Sequence, residues 1–295
     1  MSGLSGRVLI TGSGTLARAI LRQARREGWQ ATFTIFARSE SRLAALRLAY
    51  PGIRTIIGDV RDAAPVAAAV AGHDLVIHTA ALKRIPECAQ QPDECTLTNV
   101  VGSALVAQAC TAHGVPAVAI STDKACRAST AYGHSKGLTE ALFLAAGLTC
   151  VRYGNVADST GSVIPLWREQ ARKGKPLTIT DRRMTRFWMS PTDAVQLIVH
   201  AASHPGGVWV PKMGAFGIDE LAERLHPGAL RTEIGLRSAE KLHEDLVASD
   251  EPATETLAHY RLHPEGQLGH SYSSATCRRL TVDEVRAMLA DAEGL

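Results

Sequence analysis

The chain has 295 residues, 45% hydrophobic, 21% charged and 5% aromatic, with a formal net charge of +3 at pH 7. That is an ordinary globular composition, long enough to bury a sizeable core in one large domain or two smaller ones. Its scattered basic residues argue against a nucleic-acid partner, and no apolar stretch read from the sequence approaches the roughly 18–20 residues of a membrane helix.

In chain order, residues 7–10 read as a buried strand, followed by Thr11-Gly-Ser-Gly14 and an Ala/Leu/Arg helix to about Glu27. Residues 31–36 are β-branched and aromatic and form strand two. A helix over 39–49, strand three at 54–57, a helix over 63–71 and strand four at 74–78 continue the pattern. A helix over 99–113, strand five at 115–120, a helix over 130–146 and a last strand at 149–152 complete it. Strict β-α alternation with continuously apolar strands predicts an α/β fold, a Rossmann-type doubly wound parallel sheet covered on both faces. Past residue 153 the pattern loosens, with a polar loop over 154–161 and a basic one over 181–187. Short helices are expected at 218–225, 238–246 and 281–290. The expected division is a dinucleotide-binding domain over 1–153 and a smaller, less regular substrate lobe over 154–295.

No secretory segment is read after Met1, because Ser2 to Gly6 leads straight into a short apolar run and a Gly-rich turn. The six cysteines lack CxxC spacing and a partnered histidine cluster. They are expected as reduced, mostly buried thiols of a cytoplasmic protein, with no metal site.

Gly12-Ser13-Gly14-Thr15-Leu16-Ala17 lies between the first strand and the first helix. The glycines let backbone approach a pyrophosphate, Ala17 lets helix and strand pack closely, and the helix N-terminus favours negative charge. Strand two ends in Phe36-Ala37-Arg38-Ser39, a fixed cation and a hydroxyl where an acidic residue would otherwise meet a ribose 2′-hydroxyl. That arrangement favours NADP over NAD, the alternative being a solvated charge at a helix start. Asp59 follows strand three, placed either to meet the adenine amino group or to cap the next helix.

Tyr132-Gly-His-Ser-Lys136 puts Tyr and Lys at i and i+4 on one helical face. A lysine beside a phenol lowers its pKa and makes Tyr132 a base near neutral pH. The segment lies downstream of strand five and of Ser121-Thr122-Asp123-Lys124, at the sheet end where such folds place their sites.

With these stretches, Ala80-Ala-Leu-Lys-Arg-Ile-Pro-Glu87, Thr98-Asn-Val-Val-Gly102, Ser121-Thr-Asp-Lys-Ala125 and Arg152-Tyr-Gly-Asn-Val156 make the chain resemble an extended short-chain dehydrogenase/reductase. Gly161-Ser-Val-Ile-Pro165, Met184-Thr-Arg-Phe-Trp188 and Glu240-Lys-Leu-His-Glu244 make it similar to the C5-inverting UDP-N-acetylglucosamine 4,6-dehydratases. The resemblance implies that Tyr132, with Lys136, takes the proton of the sugar 4-hydroxyl as hydride leaves C4 for NADP. Lys124, if held neutral by Lys136 or by burial, then removes the C5 proton. Asp123, if protonated, donates to the departing 6-hydroxyl. Asp123 and Lys124 as a plain salt bridge at the end of strand five is the alternative.

The resemblance also carries cofactor contacts to Val60, Ala80, Ala81, Lys83 and Asn99. It places Lys83, Thr122, Asn155, Arg186, Arg237 and Glu240 toward a UDP-activated N-acetylhexosamine, and it implies a homo-oligomer.

Three departures stand out. The glycine turn is one residue shorter than usual in extended members, Ser238-Ala239 replaces a Pro-Gly, and Thr160 stands where relatives commonly have Arg. The rival readings are a nucleotide-sugar 4-epimerase or reductase, and a non-catalytic NADP-binding module. An epimerase does not need the Asp123-Lys124 pair, and a non-catalytic module predicts loss of Tyr132, Lys136 or Asp123, all of which are present.

Overall fold

A computed structural model describes residues 3–157 and 163–293. The first half runs β1 (Gly6–Thr11), α1 (Thr15–Glu27), β2 (Ala31–Ala37), α2 (Glu40–Ala49), β3 (Arg54–Ile57), α3 (Ala63–Val70) and β4 (Leu75–His78). Then come α4 (Ile85–Gln90), α5 (Pro92–Thr96), one π-helical turn (Leu97–Val101), α6 (Gly102–His113) and β5 (Ala117–Ile120). A 3₁₀ turn (Asp123–Ala125), α7 (Ala131–Ala145) and β6 (Thr149–Val151) follow. The second half holds β7 (Asn155–Val156), α8 (Val163–Arg172), β8 (Leu177–Ile179), β9 (Thr185–Met189), α9 (Pro191–Ser203), β10 (Gly207–Pro211) and β11 (Ala215–Gly217). It ends with α10 (Ile218–Leu225), β12 (Arg231–Glu233), β13 (Asp245–Val247), β14 (Ala253–Glu255), β15 (His259–Leu262), β16 (Tyr272–Ser273) and α11 (Val282–Ala292).

Nine strands form the main sheet in the order β14-β15-β10-β6-β5-β4-β1-β2-β3. Neighbours from β3 to β10 pair parallel, and β15 and β14 add antiparallel. Val8, Leu9, Ile10, Val76 and Ile77 are fully buried, as expected of central strands covered on both faces. The chain goes from β1 outward to β2 and β3, then returns to β4 on the other side of β1. That reversal opens a crevice at the carboxyl ends of β1 and β4, where such sheets place ligands.

Residues past 153 complete this sheet through β10, β14 and β15. A second core, around Ile164, Trp167, Ile179, Phe216 and Leu221, supports the smaller lobe.

Three expectations are corrected. The helix expected to begin at Asn99 is continuous from Pro92, because the π turn lets it run on through Thr98 and Asn99. This Pro92–His113 helix, 22 residues with a mean hydropathy of 1.2, is long and apolar enough to cross a membrane, and half of its apolar window is buried inside the fold. The helix expected over 238–246 is absent. Arg237 to Glu240 forms a turn closed by Glu240 N–H on the Arg237 carbonyl at 3.1 Å, and β13 follows. The carbonyls of Lys241 and Leu242 instead accept from Arg186, each at 3.0 Å, which takes them out of any helical ladder. All six cysteines are free.

Candidate active site

The glycine turn follows from close packing. Gly12 has φ +94°, and a Cβ there would meet the Thr79 hydroxyl at 2.7 Å and Ala80 N at 3.0 Å. Gly14 is the N-cap of α1, and a Cβ on it would enter open space. Ser13 is buried in the turn and Ala17 is fully buried beneath it. An oversized residue at 102 would strike Val60, since a Cβ on Gly102 would lie 2.8 Å from its methyl group.

Arg38 is half-exposed and lies 3.6 Å from Asp59. Asp59 is taken up chiefly by Arg61, which donates its main-chain N–H and its guanidinium. It does not cap α3, whose N-cap is Asp62. Ser39 caps α2 by accepting from Arg42 N–H at 3.4 Å. Ala80, Ala81 and Lys83 follow β4. Lys83 makes no hydrogen bond or ion pair among the described residues, and burial lowers its pKa.

Asn99 sits fully buried in the π turn and ties three elements together. Its amide accepts from Leu82 N–H at 2.7 Å and donates to the Leu82 carbonyl at 2.8 Å and the Ser135 hydroxyl at 3.0 Å. The turn frees the Asn99 carbonyl for Ser103 and Thr139, which fastens α6 to α7. Gly133 lets α7 pack on the 3₁₀ turn, because a Cβ there would lie 2.3 Å from the Lys124 carbonyl oxygen.

This packing assembles the polar centre. Lys124 Nζ donates to Asp123 Oδ1 at 2.8 Å and lies 3.7 Å from Glu244. Thr122 donates to the same Asp123 oxygen at 2.9 Å and caps the 3₁₀ turn. Asp123 is fully buried, and its Oδ2 has no partner among the described residues.

Two electrostatic expectations are corrected here. Burial and the charge of Asp123 push the Tyr132 phenol up, so it is not a phenolate near neutral pH in this structure. Burial disfavours charge on Lys124, but Asp123 and Glu244 outweigh it and raise its pKa, so Lys124 rests as an ammonium. Lys136, in contrast, is lowered to about 8 by burial.

A cavity of about 190 Å³ opens beside this centre. It brings together Lys124, Asn155, Arg186, Arg237 and Glu240 with Glu244. Tyr132, Thr122, Lys136 and Lys83 lie outside its lining. Arg186, expected to bind a diphosphate, is buried and spends its guanidinium on the carbonyls of Thr185, Lys241 and Leu242, so in this structure it fixes the wall. Arg237 is exposed at the rim and makes no ion pair among the described residues. Ala239 adopts φ +62°, the left-handed conformation glycine takes freely, so the turn survives the loss of Pro-Gly at the cost of strain in an alanine. Thr160 lies outside the described residues.

Sequence reasoning missed two buried polar assemblies. Arg152 is held by Glu140, Glu251 and the Leu246 carbonyl. His78 joins Thr11 at 2.7 Å to Ser103 at 3.0 Å and stacks on Phe143. Burial lowers the His78 pKa to about 3, with Lys136 adding to the effect. The unfolded chain takes up this proton near pH 6.5 and the native state does not until about pH 3. Stability from His78 is therefore complete above pH 6.5 and lost as pH falls toward 3. Denaturant titrations should show the unmodified protein losing about 2 kcal/mol more between pH 7 and pH 5 than His78→Gln. Equal losses would mean that His78 protonates while folded.

The sheet order, the glycine cradle over α1 and the Tyr132/Lys136 helix define a Rossmann-type protein of the short-chain dehydrogenase/reductase class. A family model described as polysaccharide biosynthesis protein matches residues 8–263, and the chain belongs to that family. It is 41% identical over 216 residues to the UDP-N-acetylglucosamine 4,6-dehydratase (inverting) of Campylobacter jejuni, covering 68% of this chain and 64% of that protein's length. It is 38% identical over 296 residues to the UDP-glucose 4-epimerase of Rickettsia bellii, covering 88% of this chain and 86% of that protein. The X-ray structure of Pen from Bacillus thuringiensis superposes with a TM-score of 0.89 at 29% identity, covering 100% of both chains.

Proposed function

We propose that this protein is an NADP-dependent UDP-N-acetylglucosamine 4,6-dehydratase that inverts C5. The observation that carries the reading is the Asp123–Lys124 pair at 2.8 Å, in a 3₁₀ turn packed against the helix α7 that carries Tyr132 and Lys136. A plain 4-epimerase has no use for such a pair. The likeness to the Campylobacter dehydratase supports the same reading.

The Gly12–Leu16 cradle, Val60, Ala80 and Lys136 hold the dinucleotide, with Arg38 and Ser39 on its 2′-phosphate. A bound oxidised nicotinamide supplies the hydride acceptor for C4, the later donor to C6, and positive charge beside the Tyr132 phenol. With that positive charge and Lys136 beside it, Tyr132 gives up its own proton to solvent, and the phenolate then takes the 4-hydroxyl proton. The C4 ketone acidifies the C5 proton. One proton moves from Lys124 to Asp123 along their hydrogen bond, leaving a neutral amine and a carboxylic acid. Lys124 then takes the C5 proton, whose electron pair forms the C5–C6 double bond as the C6–O bond breaks. Asp123 protonates the leaving hydroxide to water. The pair thus returns to ammonium and carboxylate, which is the resting state of the structure, and hydride return to C6 leaves C5 to take one proton on the face opposite to Lys124, which balances the 4-hydroxyl proton taken by Tyr132. Asn155, Arg237 and Glu240, at the cavity, are proposed to meet the sugar nucleotide.

A 4-epimerase is the second reading, favoured by the near full-length match to the Rickettsia protein. Incubation with UDP-N-acetylglucosamine and catalytic NADP separates the two. Dehydration gives a product lighter by one water with a 6-methyl signal and no net cofactor reduction, whereas epimerisation gives new sugar signals at unchanged mass. The cofactor choice has its own check. Arg38→Glu should weaken NADP binding at least about tenfold more than NAD binding, because it exchanges an attractive for a repulsive charge at the 2′-phosphate. Equal losses in calorimetric titrations would remove Arg38 from that role.

A further inference from the structure

Glu244 closes the Glu240-Lys-Leu-His-Glu244 stretch and is 4% exposed. Its backbone is clamped on both sides by Ser274, which accepts from Glu244 N–H at 2.9 Å and donates its own N–H to the Glu244 carbonyl at 2.8 Å. Three cations face its carboxyl group: Lys124 at 3.7 Å, Arg186 at 4.0 Å and Lys241 at 4.0 Å. All three also hold other partners. Arg186 is spent on three main-chain carbonyls, and Lys241 donates to the Cys126 carbonyl at 2.8 Å. Lys124 is the nearest of the three, and it holds Asp123 at 2.8 Å as well, so two carboxylates share its ammonium group. Glu244 Oε2 is buried without a hydrogen-bond partner among the described residues, at the wall of the cavity that Lys124 also lines.

We propose that Glu244 is a positioning residue for Lys124, holding its amino group at the cavity wall and setting by its own charge how readily Lys124 releases a proton. The proposal rests on the dehydration reading above and adds a control on its proton couple. With Glu244 ionised, two carboxylates flank one ammonium and hold the proton on Lys124. With Glu244 neutral, Asp123 alone opposes the transfer, and the amine becomes available. Burial raises the Glu244 pKa above the ordinary carboxylate value, with Asp123 adding to the rise against Lys124, Arg186 and Lys241. The charge of Glu244 is thus open to change when a sugar diphosphate fills the cavity.

The test is a titration of Lys124 in the NADP-saturated protein. Lysines are reductively ¹³C-methylated, and the Lys124 signal is identified by its loss in Lys124→Arg. Glu244→Gln should move the Lys124 midpoint down by at least about one pH unit, and Glu244→Asp should return it toward the original value. In turnover with UDP-N-acetylglucosamine, Glu244→Gln should move the rising limb of the kcat pH profile down with the Lys124 midpoint, by about one pH unit, with KM and NADP affinity within about twofold. A Lys124 midpoint unchanged in a folded Glu244→Gln protein overturns the proposal. A shifted midpoint in a protein that removes no water supports the coupling and places the fault with the dehydration reading.

Discussion

Lys124→Ala and Asp123→Asn are each expected to lower kcat for water loss by about 10³-fold, with dinucleotide affinity within about twofold. The two variants break the couple at different points. Lys124→Ala removes the acceptor of the C5 proton and leaves Asp123 buried without its cation. Asp123→Asn keeps the shape and the Thr122 contact but has no proton to give the leaving hydroxyl. Neither residue touches the glycine cradle, so both variants should still bind NADP. Oxidation at C4 precedes the step they block, so reduced cofactor should build up in a single turnover, visible in its near-ultraviolet absorbance. Water loss at an undiminished rate in either variant would show that the pair is a structural salt bridge.

Arg152→Met is expected to destabilise the fold by about 3–5 kcal/mol, a fall in thermal midpoint on the order of 10 °C. Arg152 is 3% exposed and donates to both oxygens of Glu140, at 2.9 and 2.6 Å, and to both oxygens of Glu251, at 2.7 and 2.8 Å. Ser121 donates to Glu140, and Ala248 N–H donates to Glu251 at 2.9 Å. Loss of the guanidinium would leave the buried Glu140 carboxylate and the partly buried Glu251 carboxylate facing one another across an apolar side chain. Adding Glu140→Gln to Arg152→Met should recover part of the loss, because it removes one of the opposed charges. Differential scanning calorimetry of the single and double variants reads both effects. A midpoint within a degree or two of the parent would mean that water reaches the site and relieves the charges.

The first half was legible because its signals are local. Apolar runs at 7–10, 31–36, 54–57 and 74–78 became β1 to β4, and Gly12 and Gly14 stand where backbone geometry demands them. The second half was read less well because its contacts are remote in sequence. β10 reads as one more short apolar run until it is paired beside β6, and α9 between them was not anticipated. The Ser238–Leu246 segment has helical spacing, yet Arg186 claims its carbonyls.

Of the site, residue types were legible and protonation was not. Spacing placed Lys136 one turn from Tyr132, but burial and Asp123 control the phenol in this structure. Glu244 stood inside a quoted motif without a role because its relation to Lys124 spans most of the second half of the chain.

That span has a consequence for how the protein comes into being. Strands β1 to β6 and the helices between them lie within the first 151 residues, so the cradle for the dinucleotide can form early as the chain leaves the ribosome. The groups that complete the chemistry arrive much later: Arg186, then Glu244 against Lys124, and Glu251 against Arg152. Contacts of such separation are slow to close, and they come after the local ones. During synthesis, the capacity to hold a cofactor therefore precedes the capacity to use it.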